Sequence, residues 1–336
     1  MDDWRAGLRD DPLPWLLDGA NPAVRHLALR DLLDRPAHDP EVVEARDAAT
    51  RSAPIASILA AQAREGWWAK PGPGYSPKYT GTAWQLIFLD QLGADPADSR
   101  VRAACEYVLA HAQARTGGFG ASGVARDTSP PPSLVIHCLT GNLVRALVGF
   151  GWLDDARVAR AIAWETSAIT GEGDPPFNSI TPGAGFRCGA NAGLPCAWGA
   201  TKALLGLARI PPELRSAETS RAIALAVELL LGRNPAVADY PMGYATKPSS
   251  SWFRLGFPSG YVADVLQVLE AVCTAGHGHD PRLRPAVDWV LDRQDDRGRW
   301  ANSCAYAGKM IVDIDRPGLP SPWVTLRACR VLRAVA

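Results

Sequence analysis

Cys138 and Cys196 each stand at the head of a compact apolar segment, and each is followed three residues later by glycine, Gly141 and Gly199. They are 58 residues apart, and Cys188 lies eight residues before Cys196 in the loop Gly185-Phe186-Arg187-Cys188-Gly189. His137 adjoins Cys138, and Cys304 sits in another long loop. Thiolate sulfur and imidazole nitrogen are the ligands zinc prefers, at about 2.3 Å per Zn–S bond. The spacing is not that of a C-x-x-C knuckle. Two readings stand open: a zinc-type site of Cys138, Cys188 and Cys196 with His137 as a fourth ligand and Cys304 as a competitor, or unrelated free thiols. Three protein ligands would leave an open, catalytic position, and four would make a structural site. A helix N-terminus would favour the thiolate form of Cys138 and Cys196. Cys105, Cys273 and Cys329 fall inside helical patterns and read as small core hydrophobes.

Other side chains suggest electrophilic chemistry. Asp313-Ile314-Asp315 is the sequence's D-x-D, and these two carboxylates are the catalytic candidates beside a metal at the same rim. Arg145 and Lys202 fall within otherwise apolar segments. A charge there must line a cavity or find a partner, because burying it alone is costly. Tyr79, Trp84, Trp198, Trp252 and Trp323, with Tyr75 and Lys78, lie at or near the starts of apolar segments. An aromatic-lined mouth suits an isoprenoid or a carbocation through cation–π attraction; each ring taken singly is also explained as core filling. His26, His111, His277 and His279 lie on amphipathic stretches or in a turn. Phosphate-loop and serine-hydrolase motifs are missing from the sequence.

These residues need helices to position them. Five strongly apolar segments recur: 82–93, 138–151, 196–208, 260–271 and 323–336. Their apolar residues cover nearly every face, the mark of a helix buried all round. After each of the first four comes a short turn and a more amphipathic helix, over 99–114, 155–167, 216–231 and 280–293. The pair 21–33 and 40–63 adds a hairpin at the N-terminus. The period of roughly 55–65 residues describes about five helical hairpins and a closing helix.

The outer helices share an ending. Gln62…Gly66…Trp68 and Gln294…Gly298…Trp300 both read Q-x-x-x-G-x-W, and Gln113…Gly117…Phe119 repeats it with phenylalanine. Glycine ends the helix in the left-handed conformation, the glutamine amide reaches a neighbouring helix end, and the ring packs over the turn. This repeated motif resembles that of the squalene–hopene cyclase and protein prenyltransferase β-subunit superfamily. The resemblance covers residues from about 20 to 336. It implies an α/α toroid, inner helices ringed by outer ones, with the long loops and their cysteines gathered on one face. Protein prenyltransferase β-subunits bind zinc there through a cysteine at an inner-helix start, an aspartate and a histidine. Cys196-Ala197-Trp198 is similar to that cysteine and its neighbour, but Leu194 replaces the aspartate and the Phe257-Pro258-Ser259 region the histidine. Class II cyclases carry D-x-D-D-T-A at an inner-helix start; here Thr82-Ala83 remains and the aspartates are absent.

Composition bounds the rest. The chain has 336 residues, 35 basic and 35 acidic, with 47% hydrophobic residues and 12 tryptophans. Zero net charge argues against a general nucleic-acid binder. No apolar run is long enough to span a bilayer, and Met1-Asp2-Asp3-Trp4-Arg5 lacks a signal-peptide layout, so a cytoplasmic protein is expected. The expectation is a single all-α toroid domain over 1–336. It takes an isoprenoid or lipid-like molecule in a central cavity, with zinc at the rim, or it acts as a non-catalytic lipid- or protein-binding module. No protein partner is indicated.

Overall fold

The computed structural model describes residues 4–122, 129–175, 177–303 and 306–336. Thirteen α-helices follow in order among them: α1 (Leu13–Leu16), α2 (Pro22–Leu32), α3 (Pro40–Arg51), α4 (Ile55–Ala60), α5 (Thr82–Gln91), α6 (Ser99–His111), α7 (His137–Gly149), α8 (Ala156–Thr170), α9 (Ala197–Ala208), α10 (Ala217–Leu231), α11 (Val265–Thr274), α12 (Arg284–Leu291) and α13 (Pro322–Val335). Pairing outside helices amounts to isolated bridges, such as Arg187 with Pro195.

Local chemistry starts these helices where the pattern puts them. Asp98, Asp155 and Ser216 accept the backbone N–H of Arg100, Arg157 and Thr219, so α6, α8 and α10 are each capped by a side chain. Two boundaries differ from the apolar pattern. The segment 40–63 divides into α3 and α4, because Ser52 is extended and Pro54 brings no N–H to continue the ladder. The inner helix expected from residue 260 begins at Val265, because the Asp264 carboxylate caps the Gln267 N–H at 2.7 Å.

The protein is an all-α toroid. Helices α5, α7, α9, α11 and α13 pack side by side in chain order, and α13 returns to α2. Gly93, just past α5, lies against Leu27 of α2 and completes the inner ring. Outer helices α3, α6, α8, α10 and α12 each back the inner helix of their own hairpin.

The repeated motif forms struts between neighbouring hairpins. The Gln62 amide donates to the Arg100 carbonyl at 2.9 Å, and that of Gln113 to the Arg157 carbonyl at 2.7 Å, each at the start of the next outer helix. Gln294 accepts the Arg9 N–H at 2.8 Å and donates to the Gly7 carbonyl at 3.2 Å, so the last copy ties down the N-terminal segment and shuts the outer ring. Trp68, Phe119 and Trp300 give their backbone N–H to Thr82, Thr140 and Thr325 of the following inner helix. Gly117 cannot be replaced without strain: its φ is +105°, and a Cβ would lie 2.5 Å from the Arg160 carbonyl oxygen.

The middle of the ring is solid rather than hollow. Gly141 of α7 meets α9 so closely that a Cβ there would fall 2.5 Å from the Lys202 backbone. Lys202 itself is wholly buried. Open space lies at the two ends instead. A cavity of about 290 Å³ sits at the long-loop rim, and one of about 480 Å³ lies among the last turns of the six inner helices.

Candidate functional site

The rim cavity is built from the starts of α7 and α9 and from three loops that cross above them. Its walls are aromatic. Trp198 of α9 meets Trp252 at 6.1 Å and Tyr261 at 6.4 Å between ring centroids, and Tyr240 meets Trp252 at 5.0 Å. The Lys78 ammonium lies 4.9 Å from the centre of the Tyr261 ring. Among the residues that line the cavity none is an aspartate or glutamate. Its titratable groups are thiols, His137, phenols, Lys78 and Arg187.

Cys138, Cys188 and Cys196 all line this cavity, as does His137. A short hairpin brings two of the thiols together. The Cys188 N–H donates to the Leu194 carbonyl at 3.1 Å and the Cys196 N–H to the Phe186 carbonyl at 2.8 Å, on either side of the Arg187–Pro195 pair. Side chains alternate along such a ladder, so residues 188 and 196 project from one face as diagonal neighbours. The Cys196 thiol hydrogen-bonds to Cys188, which is drawn down to about 6 by that bond and, against the effect of burial, by the N–H groups of Ala190 and Asn191 and by His137. Cys196 goes the other way, well above its usual range, because it keeps the shared proton beside Cys188 and is buried. Burial also pushes the Cys138 thiol up, to about 12. Cys196 caps α9 through the Gly199 N–H at 3.4 Å, while the proton it shares with Cys188 favours the anion on the loop thiol.

The lowered pKa makes Cys188 the more ionised of the two thiols near neutral pH. The weaker nucleophilicity of an acidic thiol takes back part of that gain. Iodoacetamide should therefore modify Cys188 first, at a rate level above pH 7. A rate that keeps rising tenfold per pH unit through pH 8 would contradict the assignment.

His137 packs between Trp164 and Phe186, and its Nδ1 lies 2.8 Å from Oε1 of Glu165 in α8. Both side chains are buried, and burial raises Glu165 while His137 opposes the shift. The imidazole Nε2 and the second Glu165 oxygen have no hydrogen-bond partner among the described residues. A carboxylate on Nδ1 and a vacant Nε2 is an arrangement shared by metal-bound and general-base histidines. Among the described residues no three His, Cys, Asp or Glu side chains are arranged to hold a metal ion, and the expected competitor Cys304 lies outside the described residues. Glu165 escaped the sequence reading; its one signal is a carboxylate on the apolar face of α8, between Trp164 and Ala168.

The other expected site residues are scattered. Trp198 and Trp252 line the rim cavity. Trp84 is buried beneath it, with Tyr75 and Tyr79 over its ring, and Tyr79 stacks on Tyr306 at 4.3 Å. Trp323 is buried in a parallel stack on Phe257 at 4.5 Å. Lys202 lies in the core rather than on a cavity wall, donating to the Val262 carbonyl at 3.1 Å and to the Gln267 side chain. Arg145 lines the cavity at the opposite end and pairs with Asp90 at 3.3 Å. Asp313 accepts the Gly308 N–H at 2.8 Å in an exposed turn. Asp315 takes the hydroxyl of Ser321, the residue that caps α13. Neither aspartate lines the rim cavity.

No protein-family model and no curated protein matches the chain. Among solved structures, a protein from Actinoplanes aligns with 94% of this chain and 90% of its own at 15% identity, with a TM-score of 0.45. The type II terpene cyclase MstE from Scytonema aligns with 83% of this chain and 94% of its own at 15% identity, TM-score 0.35. A variant of that cyclase in complex with geranylgeranyl dihydroxybenzoate aligns with 84% and 94% at 14% identity, TM-score 0.34.

Proposed function

We propose that this toroid binds an isoprenoid or other lipid-like small molecule in the rim cavity, with the Cys188–Cys196 thiol pair and His137 as the reactive groups of its wall. The observation that carries the reading is the lining itself: aromatic walls in tilted and edge-on contact, two flanking cations and, among the described residues, no carboxylate. At about 290 Å³ the cavity falls at the lower end of the roughly 300–1,000 Å³ range of small-molecule sites, which favours a short isoprenoid chain. Protonation by an aspartic acid is not the chemistry of such a wall. An acid or base step would fall to His137 or a thiol, with Glu165 holding the imidazole in place.

Titration with farnesol should quench the protein's tryptophan fluorescence, since Trp198 and Trp252 face the ligand. Trp198→Ala removes an aromatic wall worth about 1.5–3 kcal/mol when covered, so Kd should rise about 10- to 100-fold. Absence of quenching by both farnesol and farnesyl diphosphate would overturn the reading. Product formation from farnesyl diphosphate would make the protein an enzyme; binding without turnover would make it a carrier module.

A further inference from the structure

The thiol pair has a property that ligand binding does not require. Cys188 and Cys196 lie on one face of a hairpin joined by the bond pair around Arg187 and Pro195. Both side chains line the rim cavity. Cys188 is half-buried and open to the cavity, which gives a small solute a path to its sulfur. The turn between them includes Gly189 and Gly193 and the left-handed Ala192, so the connecting loop is short, local and outside any long helix. Diagonal neighbours start at about 7–8 Å between Cα atoms, just beyond the usual 4.4–6.8 Å of a disulfide. Closing the pair therefore needs only a small pinch of this one hairpin.

We propose that Cys188 and Cys196 form a redox-active dithiol that a hydroperoxide entering the rim cavity oxidises to an intramolecular disulfide. The Cys188 thiolate sulfur attacks the terminal oxygen of the peroxide. The O–O bond breaks, Cys188 becomes a sulfenic acid, and the departing alkoxide or hydroxide takes up a proton. The Cys196 sulfur, releasing its proton, then attacks the Cys188 sulfur; the S–S bond forms, the S–O bond breaks and water leaves. Two electrons pass from the two thiols to the peroxide, which is reduced to an alcohol and water. Cys196 is the resolving thiol because it shares the hairpin face and the cavity wall with Cys188. Cys138 lies deeper at the start of α7, and burial holds it as the thiol. The proposal stands whether or not the cavity takes an isoprenoid.

Trypsin releases both cysteines on one peptide, residues 188–202, cut after Arg187 and Lys202. After one equivalent of hydrogen peroxide, or of cumene hydroperoxide as an apolar probe, that peptide should lose two hydrogens and resist alkylation, and dithiothreitol should restore both thiols. In Cys196→Ser the reaction should stop at the sulfenic acid, which dimedone traps on Cys188. In Cys188→Ser oxidation at residue 196 should slow at least tenfold. Two free thiols on the wild-type peptide after ten equivalents, or a cross-link from Cys188 to Cys138, would overturn the proposal. The wild-type peptide decides the matter even if either variant fails to fold.

Discussion

Replacing Arg327 with leucine should destabilise the fold by about 3–5 kcal/mol, the cost of breaking a buried charge network by removing one member. Arg327 of α13 is almost wholly buried and donates to three acceptors on the neighbouring hairpin. Its guanidinium reaches Glu270 at 2.7 Å, Asp264 at 3.2 Å and the Gly256 carbonyl at 2.5 Å. Burial alone would lower its pKa, but Asp264 and Glu270 more than reverse that and keep it charged. Burial would likewise raise Glu270, and Arg327 holds it below its usual range. Leucine would leave the buried Asp264 and the part-buried Glu270 without the guanidinium that bridges them. Asp264 also caps α11 through Gln267 and takes the Gly256 N–H at 3.1 Å, so the loop before α11 would loosen with it. For a chain of 336 residues the loss corresponds to a fall in Tm of about 4–7 °C. Acid should narrow the gap between variant and wild type. The stability that Arg327 confers on Glu270 is present above the ordinary carboxylate pKa and is lost as pH falls through the lowered one. Arg327→Lys keeps the charge without the fork and should fall between the two. A Tm within 1 °C of wild type for Arg327→Leu would remove this network from the account of ring closure.

Lys202→Met should remove one part of the rise in stability with pH that the wild type shows from neutrality upward. Burial pulls the Lys202 pKa from 10.5 to about 7; Asp264 opposes the shift, and Arg327 and Arg145 add to it. The folded pKa thus lies below the unfolded one. Between the two values the unfolded chain binds more protons, so stability grows as pH rises through about 7 and is lost as pH falls back through it. Over the two pH units above neutrality the gain is about 2 kcal/mol, from 1.36 kcal/mol per unit. Methionine fills a similar volume without a charge, and the variant's denaturant-derived stability should rise by about 2 kcal/mol less than the wild type's over the same range. At neutral pH the substitution should be close to neutral, because relief of a buried charge offsets the lost bonds to Val262 and Gln267. Parallel profiles for wild type and variant would show that Lys202 titrates near its ordinary value.

The residues missed by sequence reading share one physical trait. Glu165, Glu270 and Arg327 each sit on a helix whose own pattern gives them no task, and Asp264, the cap of α11, takes a further partner from α13. Their partners come from other helices, 28 residues away for Glu165 and His137 and 57 for Glu270 and Arg327. Lys202 was correctly singled out as a charge in an apolar helix, but its partners lie on the next hairpin, so the pattern could not separate a cavity wall from a core bond. The cysteines show the same division. Their gathering at one rim follows from the repeat, since residues one period apart occupy equivalent helix starts. Which sulfur carries the charge follows from a hairpin of nine residues and from the N–H groups of a single turn.

Helix placement, hairpin order and the glutamine–glycine–aromatic struts were set by the sequence alone, because each depends on apolar period, caps and glycines within a few residues of one another. Only the tertiary structure decided that the ring's middle is filled and its space moved to the ends. It also decided that Glu165 backs His137, and that Cys188 rather than a helix-start cysteine is the acidic thiol. Those outcomes rest on how closely α7 and α9 approach and on which polar groups lose water together, and such energies exist only once distant segments have met.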